Sequence, residues 1–206
     1  MKLNSDMIMK SLDYAYDKAI NGVPGLDSAI DLGENYKGNY DDIHVASKKL
    51  VTWQIAKAGT SGFVTNIGGM ITLPVAIPAN IASVLYIQTR MIAAIAHIGN
   101  HDVYDDRIKT LCYMCFTGSA ITDIAKDAGI KIGVKLTEQA IRSISASTIA
   151  KINKTVGFRL LTKFGSTGVI NLGKAVPLVG GLIGGTFDSV TTKAVGVAAI
   201  RTFITE

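Results

Sequence analysis

Residues 62–80, GFVTNIGGMITLPVAIPAN, decide how the fold of this chain is interpreted. They lie within residues 58–89, which contain no charged side chain and are long enough for a helix that crosses a bilayer. Two prolines and several polar side chains interrupt the segment, and proline inside a helix removes a backbone hydrogen bond and breaks the helix. We therefore predict two short helices that meet near residues 72–78, either as a tight hairpin inside a bundle or as a re-entrant wedge.

A second apolar segment, at residues 176–187, repeats this arrangement, with a proline followed by paired glycines and then a helix. The positions that define the two hairpins are Gly62, Gly68, Gly69, Pro74, Pro78, Pro177, Gly180, Gly181, Gly184 and Gly185. Small residues let helix backbones approach closely, so we interpret these glycines as packing positions. A phosphate-binding loop is a poor alternative because no Gly-Lys-Ser/Thr motif accompanies them.

The remaining sequence is typical of helices. Apolar residues recur at helical spacing in six further segments, at residues 6–20, 26–38, 43–58, 78–98, 105–129 and 135–165. Ser5 or Asp6 is expected to cap the first of them, and Asp102 or Asp105 the helix that begins near residue 105. No segment shows the clean alternation of a strand. The sequence thus predicts an all-α, multi-helix bundle with two glycine/proline-broken apolar helical hairpins.

Basic residues are concentrated in one region of a chain whose net charge is +5. Residues 1–50 carry six lysines against eight acidic residues, whereas residues 131–174 carry eight lysines or arginines against Glu138 alone. Such an excess attracts anionic lipid, nucleic acid or an acidic partner, although a solvated helix face is the ordinary explanation. Because no stacking platform of Tyr, Trp or Phe is interleaved with these cations, nucleic acid is the weakest of these three candidates and is not an expected partner.

Cys112 and Cys115 are the only cysteines, and their CxxC spacing is shared by redox and zinc motifs. No second CxxC is present, and a structural zinc would need two further ligands. The apolar surroundings, LCYMCF, predict instead that both thiols lie in the core of a protein kept in a reducing compartment. The N-terminal residues show no apolar segment of a secretory signal, so we expect a cytoplasmic protein.

His97, His101 and Asp102 are weak candidates for a metal site. The two histidines are four residues apart and could share one face of a helix. The predicted end of that helix falls between them, however, and no HExxH pattern accompanies them. We expect a helix end with a solvated acidic loop here, and we expect neither a metal nor another cofactor.

Gln88 and Arg90 are polar residues within a long apolar helix, and a buried charge needs partners. Asp123, Asp127 and Asp188 are candidate counter-ions. Two interpretations stay open. Arg90 can be a clamp that holds the two hairpins against each other, or Gln88, Arg90 and Asp188 can together bind an anionic ligand or lipid head group.

Two separated segments of the chain resemble the EcsC family of bacterial proteins. The first runs from GFVTNIGG to MIAAIAHI and has the family's residues at Gly62, Phe63, Gly68, Gly69, Pro74, Pro78, Gln88, Arg90, Ile95 and Ala96. The second is VPLVGGLIGGTFDSVTTKAVGVAAIRTF, with a polar residue at Asp188. The resemblance covers about residues 14–203, so we expect one helical domain over residues 1–206, with signature segments 59–102 and 174–203.

Two positions depart from the family's pattern. Asn100, His101 and Asp102 stand where the family has Gly-Tyr-Asp, and asparagine tolerates the left-handed backbone conformation that the glycine would supply. Asp188 stands where the family often has asparagine, which argues against a role that requires a neutral amide.

The resemblance implies a helical bacterial protein, often discussed as membrane-associated, and the family has no settled biochemical activity. Together with the hairpins and the basic segment, it leads us to expect a non-enzymatic protein that associates peripherally with the inner face of the cell membrane or with a membrane transporter complex. Anionic lipid or a membrane protein is the expected partner. Alternatives are a soluble carrier or sensor of an apolar, lipid-like ligand and, less favoured, a metal-dependent hydrolase or a membrane-inserting toxin.

Overall fold

A computed structural model describes residues 4–58, 79–131, 133, 137–172 and 180–204. These ranges contain no strand, and their α-helices are α1 (Ser5–Asn21), α2 (Ala29–Asn39), α3 (Ile43–Ala58), α4 (Ala79–Ile98), α5 (Asp106–Cys115), α6 (Ile121–Asp127), α7 (Glu138–Arg142), α8 (Ala146–Leu172) and α9 (Gly180–Phe203). A 3₁₀ turn, Gly118–Ala120, separates α5 from α6. The predicted all-α bundle is therefore confirmed.

The helix α4 lies at the centre of the bundle. Its residues 82–96 are buried, apart from the half-buried Val84. It packs against α1, α2, α3, α9 and α5, and α8 packs between α1 and α5. A helix that is apolar on all sides is stable when other helices surround it in this way. Because α3 adjoins α2 and α9 whereas α8 adjoins α1 and α5, α3 and α8 lie on opposite sides of α4.

Side chains of the preceding residues mark where two helices begin. Asn4 caps α1 by accepting a hydrogen bond from the backbone N–H of Met7 at 2.8 Å, so the predicted cap at Ser5 or Asp6 is wrong. Asp105 caps α5, as one of the two predictions had it. The amide oxygen of Asn4 and the carboxylate oxygen of Asp105 each accept a hydrogen bond from a backbone N–H that has no partner inside the helix.

Two of the predicted helices are interrupted. The segment 105–129 divides at Gly118, whose φ of 60° belongs to the left-handed region and cannot continue a right-handed helix. The segment 135–165 divides after α7, and a new helix begins where the hydroxyl of Ser145 accepts the backbone N–H of Thr148 at 3.2 Å. Helical periodicity continues across both breaks, so it did not reveal them.

Most of the residues that define the two predicted hairpins lie outside the described ranges, namely Gly62, Gly68, Gly69, Pro74, Pro78 and Pro177. The other four, Gly180, Gly181, Gly184 and Gly185, lie in the first two turns of α9. The hairpins themselves stay a prediction. Of the helices in the described ranges, none combines the length and apolarity needed to cross a membrane.

Two glycines inside helices mark close helix crossings. A methyl group at Gly33 in α2 would lie 2.9 Å from the His97 ring of α4, and one at Gly196 in α9 would lie 2.6 Å from Cγ1 of Val51 in α3. Both distances are shorter than a van der Waals contact between carbon atoms. Glycine at these two positions therefore lets α2 pack closely against α4 and α9 against α3.

Candidate functional site

Arg90 is buried in the central helix, with 4% of its surface exposed. Its Nη1 donates a hydrogen bond to the backbone carbonyl of Asp27, in the connection between α1 and α2, at 3.1 Å. The predicted counter-ions Asp123 and Asp127 are exposed on α6, and the side chain of Asp188 is outside the described part of the structure. Among the described residues, no carboxylate forms an ion pair with the Arg90 guanidinium.

Gln88 contacts a different part of the bundle. Its Nε2 donates to the hydroxyl of Thr192 at 3.1 Å and, over a longer distance of 3.4 Å, to that of Thr191, both in α9. Its buried Oε1 has no hydrogen-bond partner among the described residues. Gln88 therefore tethers α4 to α9, while Arg90 tethers α4 to the α1–α2 connection, and the two side chains share no described partner.

A cleft of about 490 Å³ lies between α2 and α3, on the side of α4 to which Arg90 points. Three aromatic side chains line it. Tyr36 and Tyr40, one helical turn apart, stack with ring centroids 6.2 Å apart and an interplanar angle of 21°. Trp53, the single tryptophan of the chain, faces them from α3 and is 54% exposed.

Charged and amide groups complete the lining of the cleft. The Lys57 ammonium lies 5.4 Å from the centroid of the Trp53 ring, within the range of a cation–π interaction. Burial lowers the pKa of Lys57, the Arg90 charge lowers it further, and Asp27 opposes both effects. Asn39 donates from Nδ2 to the backbone carbonyl of Asn35 at 2.8 Å and to its Oδ1 at 3.1 Å, which holds both amides at the cleft.

The predicted site and the cleft are connected through Arg90. Its hydrogen-bond acceptor is the carbonyl of Asp27, which is one of the residues that line the cleft. The sequence reasoning singled out Arg90 but missed Tyr36, Tyr40, Trp53 and Lys57. Tyr36 and Tyr40 are four residues apart, and so are Trp53 and Lys57. This spacing was a usable signal, because it places both members of a pair on one helix face. Which two faces meet could not be inferred from that spacing.

A second feature is the outer surface of the packed helices α3 and α9. We call it the α3–α9 surface, and we define it by the exposed side chains of Val45, Lys48, Lys49, Trp53, Val190, Lys193, Val197 and Arg201. The helix α3 contains no acidic residue, and α9 contains only Asp188. Exposed apolar and aromatic groups therefore adjoin four cations on two neighbouring helices.

The candidate metal ligands do not converge. His97 Nε2 lies 2.5 Å from the Glu34 carboxylate of α2, whereas His101 Nε2 lies 3.3 Å from the backbone carbonyl of Phe203. Asp102 accepts a hydrogen bond from a backbone N–H two residues later in its own loop. In the part of the chain that the structure describes, no group of three or more His, Cys, Asp or Glu side chains is arranged to hold a metal ion.

The prediction that the cysteines belong to the core is confirmed. Cys112 and Cys115 are both buried in α5 and form no disulfide. Burial raises the pKa of Cys115 to about 12 and raises that of Cys112 well above its ordinary value. Since the thiolate is the reactive form of cysteine, burial and the raised pKa disfavour both side chains as nucleophiles or redox groups near neutral pH.

Comparison with known proteins identifies the family. The model of the EcsC protein family matches residues 32–204, from the first half of α2 to the end of α9. Comparison with curated proteins found no match, and comparison with solved structures found none either. The matched region includes the central helix, the cleft residues Tyr36 and Trp53, and the α3–α9 surface. The chain therefore belongs to the EcsC protein family.

Proposed function

We propose that this protein binds reversibly to anionic membranes through the α3–α9 surface and acts there as a binding protein rather than an enzyme. The observation that carries the proposal is the composition of that surface. Proteins that lie in a membrane interface place aromatic and apolar side chains at the head-group level and basic side chains against anionic lipid. On the α3–α9 surface, Trp53 and three exposed valines supply the aromatic and apolar side chains. The basic side chains are Lys48, Lys49, Lys193 and Arg201.

The expected strength of binding follows from the four cations. A basic residue near an anionic leaflet contributes about 1 kcal/mol, so the four together contribute about 4 kcal/mol. That free energy corresponds to a dissociation constant of about 1 mM before any apolar contribution. Binding of this kind is reversible, depends on the anionic lipid fraction, and weakens as salt screens the charges.

The helix α8 is the rival surface, because it carries the basic residues on which the sequence-based expectation rested. Lys151, Lys154 and Arg159 are exposed on it, beside the exposed Phe158. It lies on the opposite side of α4 from α3, so one flat bilayer cannot contact both faces at once. We favour the α3–α9 surface because it adds four exposed apolar or aromatic side chains to a similar charge.

The alternative of a carrier for an apolar ligand held by Gln88 and Arg90 has less support. The two side chains are directed at separate partners, α9 and the α1–α2 connection. Among the described residues the two side chains share no partner, so no observation brings them together at one head group.

Cosedimentation with vesicles tests the proposal. Vesicles of phosphatidylcholine with 30% phosphatidylglycerol are compared with pure phosphatidylcholine, at low and at high salt. We expect enrichment on the anionic vesicles at low salt, its loss at high salt, and its loss in the Lys49→Glu/Lys193→Glu variant. The matched control, Lys154→Glu/Arg159→Glu, changes the net charge equally on α8 and should still bind. No enrichment of the unchanged protein at low salt, or loss of binding in the α8 variant only, would refute the proposal.

A further inference from the structure

We infer that the cleft between α2 and α3 binds a phosphoryl anion attached to a hydroxylated carbon chain. This chemistry is shared by the head groups of glycerophospholipids and by free polyol phosphates. The lipid source rests on the proposed membrane association, whereas binding of the soluble compound does not.

The charges around the cleft favour an anion. Lys57 lines it and Arg90 lies beneath it, while Asp27 is the carboxylate that lines it. Arg90 is 4% exposed, and its guanidinium has no carboxylate partner among the described residues. Removing such a charge from water is costly unless an opposite charge compensates it. A phosphoryl group at the Lys57 end of the cleft would place an opposite charge on the side of the bundle to which Arg90 points.

The remaining lining suits a hydroxylated chain. The rings of Tyr36, Tyr40 and Trp53 present apolar faces against which C–H groups can pack. The side-chain amides of Asn35 and Asn39 contain both N–H donors and carbonyl acceptors, which can form hydrogen bonds with hydroxyl groups. The volume of about 490 Å³ falls within the range of small-molecule sites, roughly 300–1,000 Å³.

The same lining argues against a cationic ligand. Three aromatic rings beside a carboxylate resemble the cages that hold quaternary ammonium groups. Here, however, the ammonium of Lys57 already lies over the Trp53 ring, and the Arg90 charge lies below. A second cation would meet two like charges at short range, which is unfavourable.

The position of the cleft connects it to the proposed membrane contact. Trp53 belongs both to the lining of the cleft and to the α3–α9 surface. The cleft therefore opens at one edge of that surface. A lipid whose head group occupied the cleft would lie beside the cations Lys48 and Lys49 of the same helix.

Fluorescence of Trp53 tests the inference, since the chain has no other tryptophan. The full chain is titrated with glycerol 3-phosphate, with dihexanoyl phosphatidylglycerol below its micellar concentration, and with choline chloride, each at constant ionic strength. We expect saturable changes with the first two compounds and none with choline. Lys57→Met should weaken that binding at least tenfold. Lys154→Met, at an exposed position of α8 on the opposite side of α4, should bind like the unchanged protein.

The outcomes separate this inference from the proposed function. Tighter binding of the short-chain lipid than of glycerol 3-phosphate would assign the lipid source, and the reverse order would assign the free polyol phosphate; both support the cleft. Saturation with choline, an unchanged affinity in Lys57→Met, or vesicle binding without saturation by either soluble phosphate would overturn the inference. Saturation by the soluble phosphates without vesicle binding would overturn the membrane proposal alone. If Lys57→Met does not fold, Tyr40→Ala supplies the same comparison.

Discussion

The crossing of α3 and α9 at Gly196 gives the sharpest test of the packing. Replacing Gly196 with alanine would place a methyl carbon 2.6 Å and 2.7 Å from the two γ-carbons of Val51. Attractive contacts between carbon atoms begin at about 3.5 Å, so one helix must move by almost 1 Å. Val51 is 6% exposed and β-branched, and such a side chain has one strongly preferred rotamer in a helix. It cannot turn away from the new methyl group.

The magnitude follows from two opposing effects. Overpacking a close contact costs about 1–3 kcal/mol. Alanine is a better helix former than glycine by about 1 kcal/mol, which offsets part of that loss. We therefore expect Gly196→Ala to lower the free energy of unfolding by about 1 kcal/mol. For a chain of 206 residues this corresponds to a fall in Tm of about 2–4 °C.

Gly38→Ala is the matched control. Gly38 also lies inside a helix, α2, but a methyl group there would have no atom within 4 Å. It should therefore raise the free energy of unfolding by up to about 1 kcal/mol. The difference between the two variants isolates the steric cost at Gly196, which we expect to be about 2 kcal/mol.

Urea unfolding followed by circular dichroism measures both variants. Combining Gly196→Ala with Val51→Ala should recover most of the steric cost, because the smaller side chain leaves room for the new methyl group. If Gly196→Ala is as stable as Gly38→Ala, or if Val51→Ala brings no recovery, the close crossing of α3 and α9 is wrong.

Two further predictions concern buried polar groups. Burial lowers the pKa of His101 in the folded protein, so as the pH falls the unfolded chain takes up a proton at this side chain first. The contribution of His101 to the free energy of unfolding should therefore be complete above pH 6.5 and fall as the pH drops below that value. Urea midpoints measured at several pH values should depend less on pH in His101→Asn than in the unchanged protein. An unchanged dependence would refute the role of His101. Thr192→Val removes the nearest hydrogen-bond acceptor of the Gln88 amide and should lower the free energy of unfolding by about 1–3 kcal/mol. Gln88→Met removes the buried amide itself and should lower it by less. Thermal unfolding of the two variants measures the difference. The reverse order would contradict the tether between α4 and α9.

The helical class could be predicted from the sequence because helical periodicity is a local property. The segment that became α4 shows it best, since its uninterrupted apolar residues require burial on all sides. The breaks at Gly118 and before Ser145 could not be predicted from periodicity, which continues through both. A single residue in the left-handed conformation or a single capping hydroxyl ends a helix without changing the pattern around it.

The candidate site was predictable only in part. Arg90 stood out because a charge within an apolar helix is costly and therefore unusual. Its partner did not stand out, since a backbone carbonyl at Asp27 has no signature in sequence. The predicted carboxylate partners Asp123 and Asp127 face solvent on α6 instead. Hydrogen bonding to main-chain atoms is invisible to reasoning that pairs charges by residue type.

By itself, the sequence determined the helical class, the buried cysteines and the family signature, all of which depend on residues close together along the chain. The tertiary structure alone decided that Tyr36 on α2 and Trp53 on α3 line one cleft, and that Lys57 lies near Arg90. It also decided that Val45 of α3 and Val197 of α9 belong to one surface. The physical reason is that helix packing brings together faces that are far apart in sequence. The residue pattern of one helix face does not specify which other face packs against it.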